Sequence, residues 1–189
     1  MRFLNFEVPG DHGREQAGFF RDGRVHSLDM TLGLSPWALD PERLPELPRL
    51  LEPLAGAGGG GGHDPGDVIW HTPVRPIPSF RDFYAFEQHV KTARAKRGFK
   101  IAPEWYEMPV FYFSNHGAIF AHEAEIPLPA FREELDFELE VAALIGRGGR
   151  DIPVDRAEEH IAGYTILNDW SARAVQRREM AVGLGPAKG

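Results

Sequence analysis

In Leu135-Asp136-Phe137-Glu138-Leu139-Glu140-Val141-Ala142, polar and apolar residues alternate strictly from Leu135 to Val141. That period of two is the mark of a strand with unlike faces. Phe137, Leu139 and Val141 point to one side, and Asp136, Glu138 and Glu140 to the other. Neighbouring carboxylates on one strand face stand roughly 7 Å apart. At an effective dielectric of about 20, each ionised pair repels by roughly 2 kcal/mol. Such a face is tolerable when water bathes it or when a cation sits among the acids.

Outward from this strand, the chain reads as a succession of short strands. On the C-terminal side, Gly146-Arg147-Gly148-Gly149 ends the strand, and Asp155 with Glu158 offers a capping box for a short helix ending at Gly163. The apolar run Tyr164–Leu167 then finishes in a polar cluster, Asn168-Asp169-Trp170-Ser171-Ala172-Arg173. On the N-terminal side, Val110–Ser114 and Ala118–Ala121 flank the turn Asn115-His116-Gly117. Ser79 offers an N-cap for a helix over 80–97, with the apolar stripe Phe83, Phe86, Val90 and Ala93 and a C-cap at Gly98. That helix would put Asp82 and His89, two turns apart, on one face.

Further back, residues 2–8, 15–21 and 24–28 read as a small antiparallel meander with a type I′ turn at Asp22-Gly23. Five prolines between Pro36 and Pro53 break any helix there. The Gly/Ala-only run 55–62 reads as a flexible surface loop, since it buries nothing and bears the largest backbone entropy loss on ordering. No Gly-Lys-Ser/Thr follows it, so it is not a phosphate loop. The organisation expected is a β-rich N-terminal module at 1–65 and part of a catalytic domain at 66–189.

The chain has 189 residues, 26% of them charged and 42% hydrophobic, with a net charge of −7. That balance offers no electrostatic footprint for nucleic acid or an anionic membrane surface. No apolar run is long enough to span a bilayer, and no secretory leader is evident, so a cytoplasmic location is expected. There is no cysteine, which excludes disulfides and thiolate metal sites. Any metal must take oxygen or imidazole ligands. Hard oxygen donors at an acidic face suit Mg²⁺, Ca²⁺ or Mn²⁺. Glu138 and Glu140 supply two from one strand, Asp169 stands at another strand end, and Asp82 is a fourth candidate.

Three motifs combine in one chain. Asp82-Phe83-Tyr84 is followed by His89, and Pro103-Glu104-Trp105 leads through Met108-Pro109-Val110 to Tyr112. Asp136-Phe137-Glu138-x-Glu140 then precedes Glu159-His160-Ile161 and Asn168-Asp169-Trp170-Ser171-Ala172-Arg173. From about residue 66 onward this pattern resembles the fumarylacetoacetate hydrolase family. The resemblance implies an α+β, predominantly β fold, with a small β-rich N-terminal module before part of a mixed β-roll. It further implies a divalent cation, Mg²⁺ first and Ca²⁺ or Mn²⁺ next, held by Asp82, Glu138, Glu140 and Asp169. His89 matches the general base. Tyr84, Tyr112, Arg173 and Gln176 match residues that grip substrate oxygens, Arg173 also at the oxyanion.

The activity so implied is hydrolysis of a C–C bond in a 1,3-diketo acid such as fumarylacetoacetate, within tyrosine or aromatic breakdown. Hydration or isomerisation of 2-oxo-4-enoates, acylpyruvate cleavage and oxaloacetate decarboxylation belong to the same fold. A cation- or carboxylate-binding fragment without turnover is the alternative of another class. The expected partners are a small diketo acid and, in the full-length protein, a second copy in a homodimer. Ala174 stands where the family usually has an Asp. The family also runs on past the register of Gly189 to a lysine beside the oxyanion, so the chain is expected to represent an incomplete catalytic domain. Apolar faces such as Phe137, Leu139 and Val141 are then expected to lie uncovered.

Overall fold

A computed structural model describes residues 2–28, 49, 61–128, 130 and 134–183. The chain divides into two compact units, Met1–Pro76 with Phe120–Gly189, and Ile77–Ile119. Within the described residues the elements are mostly short strands, and the class is the α+β, strand-dominated one expected.

In the first unit, β1 (Arg2–Glu7), β2 (Glu15–Arg21) and β3 (Arg24–Ser27) form the expected meander. Asp22 and Gly23 both take positive φ, +50° and +77°, which matches the right-handed strand twist across a two-residue turn. A fourth strand, β4 (Ile69–His71), joins along β1, giving the order β3-β2-β1-β4. Leu4, Phe6, Val25 and Val68 form its core, with Val8, Phe20 and Trp70 packed against them. Gly18 is required there: a Cβ would stand 2.6 Å from Phe6 Cε1 and 2.5 Å from the His26 carbonyl oxygen. The proline-broken segment at 36–53 (save residue 49) and most of the Gly/Ala run lie outside the described residues.

The same unit holds β7 (Leu135–Asp136), β8 (Leu139–Ile145), β9 (Ile161–Asn168), β10 (Ser171–Ala172) and a C-terminal helix at Arg173–Val182. The stretch read as one strand is therefore two. β7 pairs with β10 and β8 with β9, so the chain changes partner at Phe137-Glu138. The Asp136 side chain accepts from Phe137 N at 2.9 Å, a local bond that competes with the ladder at that point. The expected capped helix is instead a 3₁₀ helix, Val154–His160, with Pro153 at its N-cap and no side-chain cap. β9 accordingly starts at Ile161, earlier than read.

The faces of the β8–β9 pair invert the usual pattern. Glu140 is half-buried, whereas Leu139 and Val141 are each 75% exposed and Ile166 is 78% exposed. Phe137, Ile145 and Tyr164 are exposed as well. The apolar face expected to lie uncovered does so.

In the second unit the long helix over 80–97 is not found. Arg81–Phe83 is a strand, β5, paired antiparallel with β6 (Phe111–Phe113). The helix α1 covers only Glu87–Ala95, with Phe86 rather than Ser79 at its N-cap. Of the supposed stripe only Val90 is buried; Phe83 and Phe86 are exposed. Asp82 and His89 thus sit on a strand and a helix, not on one helical face. A single helical turn, α2 (Glu104–Glu107), precedes β6. The turn at Asn115 forms, with its side chain accepting from Gly117 N at 3.0 Å, but residues 118–121 form no return strand. β6 takes β5 as its partner instead. No helix among the described residues is long and apolar enough to cross a membrane.

Candidate metal and substrate site

The β8–β9 register places the acids of the first unit. Leu139 faces Asn168 and Glu140 faces Leu167, and the ladder continues one step as Asp169 N donates to Glu138 O at 2.9 Å. Glu138, Glu140 and Asp169 therefore gather at one end of this strand pair, all half-buried. Beyond that end, the β7–β10 pairing sets Ser171 opposite Asp136 and starts the C-terminal helix, here α3, at Arg173. Arg173 Nη1 meets Glu138 Oε1 at 2.7 Å, while its Nε and Nη2 both reach Asp136 Oδ2 at 2.9 Å. Gln176 Oε1 accepts from Nη1 at 3.1 Å. Burial lowers the Arg173 pKa, but hydrogen bonds to Glu138 and Asp136 outweigh it and the guanidinium is held above its ordinary value. Arg173 and Phe137 N hold the Asp136 carboxyl below its own. Arg177 grips Glu134 with two bonds of 2.7 Å and lowers the Glu134 pKa in the same way.

The second unit carries the other candidates. Asp82 lies opposite Tyr112 in the β5–β6 register, and the Tyr112 hydroxyl donates to Asp82 Oδ2 at 2.5 Å. Tyr84 N donates to Val110 O at 2.9 Å, extending that ladder. The Tyr84 carbonyl accepts from Trp105 Nε1 at 2.7 Å. His89, exposed on α1, meets the Tyr84 ring edge-on with ring centres 5.7 Å apart. A cavity of about 180 Å³ lies beside Tyr84, Val90, Trp105 and Met108.

Within the first unit, Glu140 and Asp169 each offer a carboxylate oxygen, the two within 4.8 Å of each other. Opposite ligands of Ca²⁺ stand about 4.8 Å apart and those of Mg²⁺ about 4.2 Å. Half-buried carboxylates, with no sulfur in the donor set, suit a hard divalent cation. The Glu138 carboxylate meets Arg173. Tyr112, read as a substrate grip, meets Asp82 in this structure, and Arg173 meets two acids. The part played by Asp136 went unread, although it opens the Asp-x-Glu-x-Glu motif.

The elements define a mixed fold of small sheets with a carboxylate site suited to a metal. The family model for the fumarylacetoacetate (FAA) hydrolase C-terminal matches residues 79–189. The chain belongs to the fumarylacetoacetate hydrolase family. It is 34% identical over 134 residues to the fumarylacetoacetase of Bos taurus, covering 60% of this chain and 32% of that one. The fumarylacetoacetase of Arabidopsis thaliana is 35% identical over 133 residues, 60% of this chain and 31% of its own. For the Homo sapiens enzyme the figures are 33% over 140 residues, 63% and 33%. The chain thus spans about a third of the length of these curated relatives.

Solved structures share the fold. A fumarylacetoacetate hydrolase from psychrophilic Exiguobacterium antarcticum aligns with a TM-score of 0.58 at 21% identity, over 95% of this chain and 59% of that one. An uncharacterized protein from Mycobacterium abscessus aligns with a TM-score of 0.62 at 25% identity, over 100% and 62%.

Proposed function

We propose that this chain belongs to a divalent-cation-dependent hydrolase that cleaves a C–C bond in a 1,3-diketo acid, fumarylacetoacetate being the first candidate, to fumarate and acetoacetate. The observation that supports this reading is the gathering of half-buried Glu138, Glu140 and Asp169 at one end of the β8–β9 pair, on residues that match the family's cation ligands. Asp82, Glu138, Glu140 and Asp169 are the proposed ligands. A cation held there would polarise substrate oxygens as a Lewis acid and neutralise acids that otherwise repel one another.

The chain's own residues supply the rest. His89, an imidazole exposed on α1 and set edge-on to Tyr84, is the proposed base that takes a proton from water at a ring nitrogen. The hydroxide so formed adds to a carbonyl carbon, the C–C bond breaks, and the departing enolate carbon takes a proton back. Arg173 and Gln176 are the proposed grip on the developing oxyanion, Tyr84 and Tyr112 on the substrate's other oxygens. A role in aromatic catabolism follows from the same substrate.

The test is turnover of fumarylacetoacetate, read as loss of diketone absorbance with and without Mg²⁺, on the native chain and on His89→Gln. Cation-dependent cleavage that falls by two orders of magnitude or more in His89→Gln supports the reading. Cleavage at an undiminished rate in His89→Gln removes His89 from the reaction. Cation binding without cleavage favours the binding-fragment alternative.

A further inference from the structure

Arg173 is the centre of an arrangement of two acids and an amide in which its partners are unequal. Its backbone is fixed, since Arg173 N donates to Glu134 O at 3.0 Å and the preceding Ser171 and Ala172 are buried and paired with Asp136 and Leu135. Two of its three nitrogens, Nε and Nη2, are spent on the single Oδ2 of Asp136. The third, Nη1, is divided between Glu138 Oε1 and Gln176 Oε1. Glu138 can therefore leave Arg173 while two guanidinium donors stay anchored. Glu138 is also tied by its backbone oxygen to Asp169, whose carboxylate lies near that of Glu140, yet its own carboxylate is turned to Arg173. A guanidinium and a divalent cation are both strong competitors for one carboxylate.

We propose that Glu138 is an exchangeable ligand, held by Arg173 while the cation is absent and passed to the cation when it binds, with Asp136 the positioning residue that retains Arg173 throughout. The exchange opens Arg173 Nη1 toward an anionic oxygen of the substrate only after the cation has arrived, so binding is ordered: cation first, carboxylate or oxyanion second. Asp136 keeps the guanidinium from following Glu138. This inference rests on the cation reading above and adds to it a competitor and an anchor.

Mn²⁺ titration of the full chain, by calorimetry and by the electron paramagnetic resonance signal of free Mn²⁺, tests it. The variants are Arg173→Met, Glu138→Gln and the double variant, with melting curves to confirm that each is folded. Glu138→Gln is expected to weaken Mn²⁺ about tenfold or more, and Arg173→Met to tighten it several-fold. In the Glu138→Gln background, Arg173→Met is expected to change nothing, because the competition requires Glu138. Equal tightening in both backgrounds is plain charge repulsion and overturns the exchange. Unchanged affinity in Glu138→Gln leaves Glu138 as the partner of Arg173 alone and overturns it too. Arg173→Lys, which keeps the charge and loses the fork, is expected to fall between native and Arg173→Met, and serves if Arg173→Met does not fold. Asp136→Asn is expected to weaken Mn²⁺ only where Arg173 is present; an equal loss in the Arg173→Met background removes Asp136 from the account. No Mn²⁺ binding by either the native chain or Arg173→Met overturns the cation reading itself, whereas binding with additive effects overturns only the exchange.

Discussion

Val141 and Ile166 face each other across β8 and β9 on the exposed apolar side, at 75% and 78% exposure. Replacing both with threonine keeps β-branching and strand preference, so the change reports burial rather than backbone fit. Complete burial of such side chains contributes about 1.5–3 kcal/mol each. With roughly a quarter of each removed from water, the transfer loss is about 0.3–0.7 kcal/mol per residue. The cross-strand pair adds roughly 0.2–1 kcal/mol. The double variant is therefore expected to lose about 1–2 kcal/mol, less than the 2–5 kcal/mol typical of a buried Leu→Ala change such as Leu4→Ala in the N-terminal core. Urea unfolding followed by far-UV circular dichroism, at several protein concentrations, measures both. A loss above about 3 kcal/mol in the threonine pair would mean that the soluble species buries this face, and would refute the reasoning from exposure.

Gly18→Ala is expected to cost about 1–3 kcal/mol, because the new methyl meets a backbone oxygen and the buried Phe6 ring rather than a flexible side-chain tip; thermal melts against Gly23→Ala, whose added Cβ meets nothing within 4 Å, separate crowding from turn strain. The carboxyls of Glu134 and Asp136 titrate below their ordinary values through Arg177 and Arg173. A depressed folded-state value stabilises above the unfolded carboxylate range of about 3.9–4.3 and loses that contribution as pH falls through the folded value. Melting temperature is thus expected to hold from pH 7 to about 5 and to fall below about pH 4, less steeply at high salt. An unchanged melting temperature at pH 3 would remove these pairs from the stability of the fold.

The sequence made some of this fold legible and hid the rest for physical reasons. Asp22-Gly23 showed its turn because positive φ at both positions is a local requirement that few residues meet. The alternation at 135–142 located the acidic strand but not its break, because the exchange of partner at Phe137-Glu138 is set by the distant residues of β9 and β10. Arg81–Phe83 looked helical because Phe83, Phe86 and Val90 fall at helical spacing; its pairing with Phe111–Phe113 overrides that local signal. The helix Arg173–Val182 left little trace, since none of its side chains is fully buried and no stripe marks a core face. Asp82, Glu138, Glu140 and Asp169 could be singled out as candidate oxygen donors by chemistry and motif. The attachment of Glu138 and Asp136 to Arg173 was not, because the two acids and the arginine meet only through the β7–β10 pairing.

The central claim is that the acids of this site hold a hard divalent cation. Calorimetric titration with Mg²⁺ and with Mn²⁺, on the native chain and on Glu140→Gln, addresses it most directly. The expected result is one saturable site per chain that weakens by at least about tenfold in Glu140→Gln. Equal affinity in the two proteins, or no saturable binding of either ion to the native chain, would contradict it.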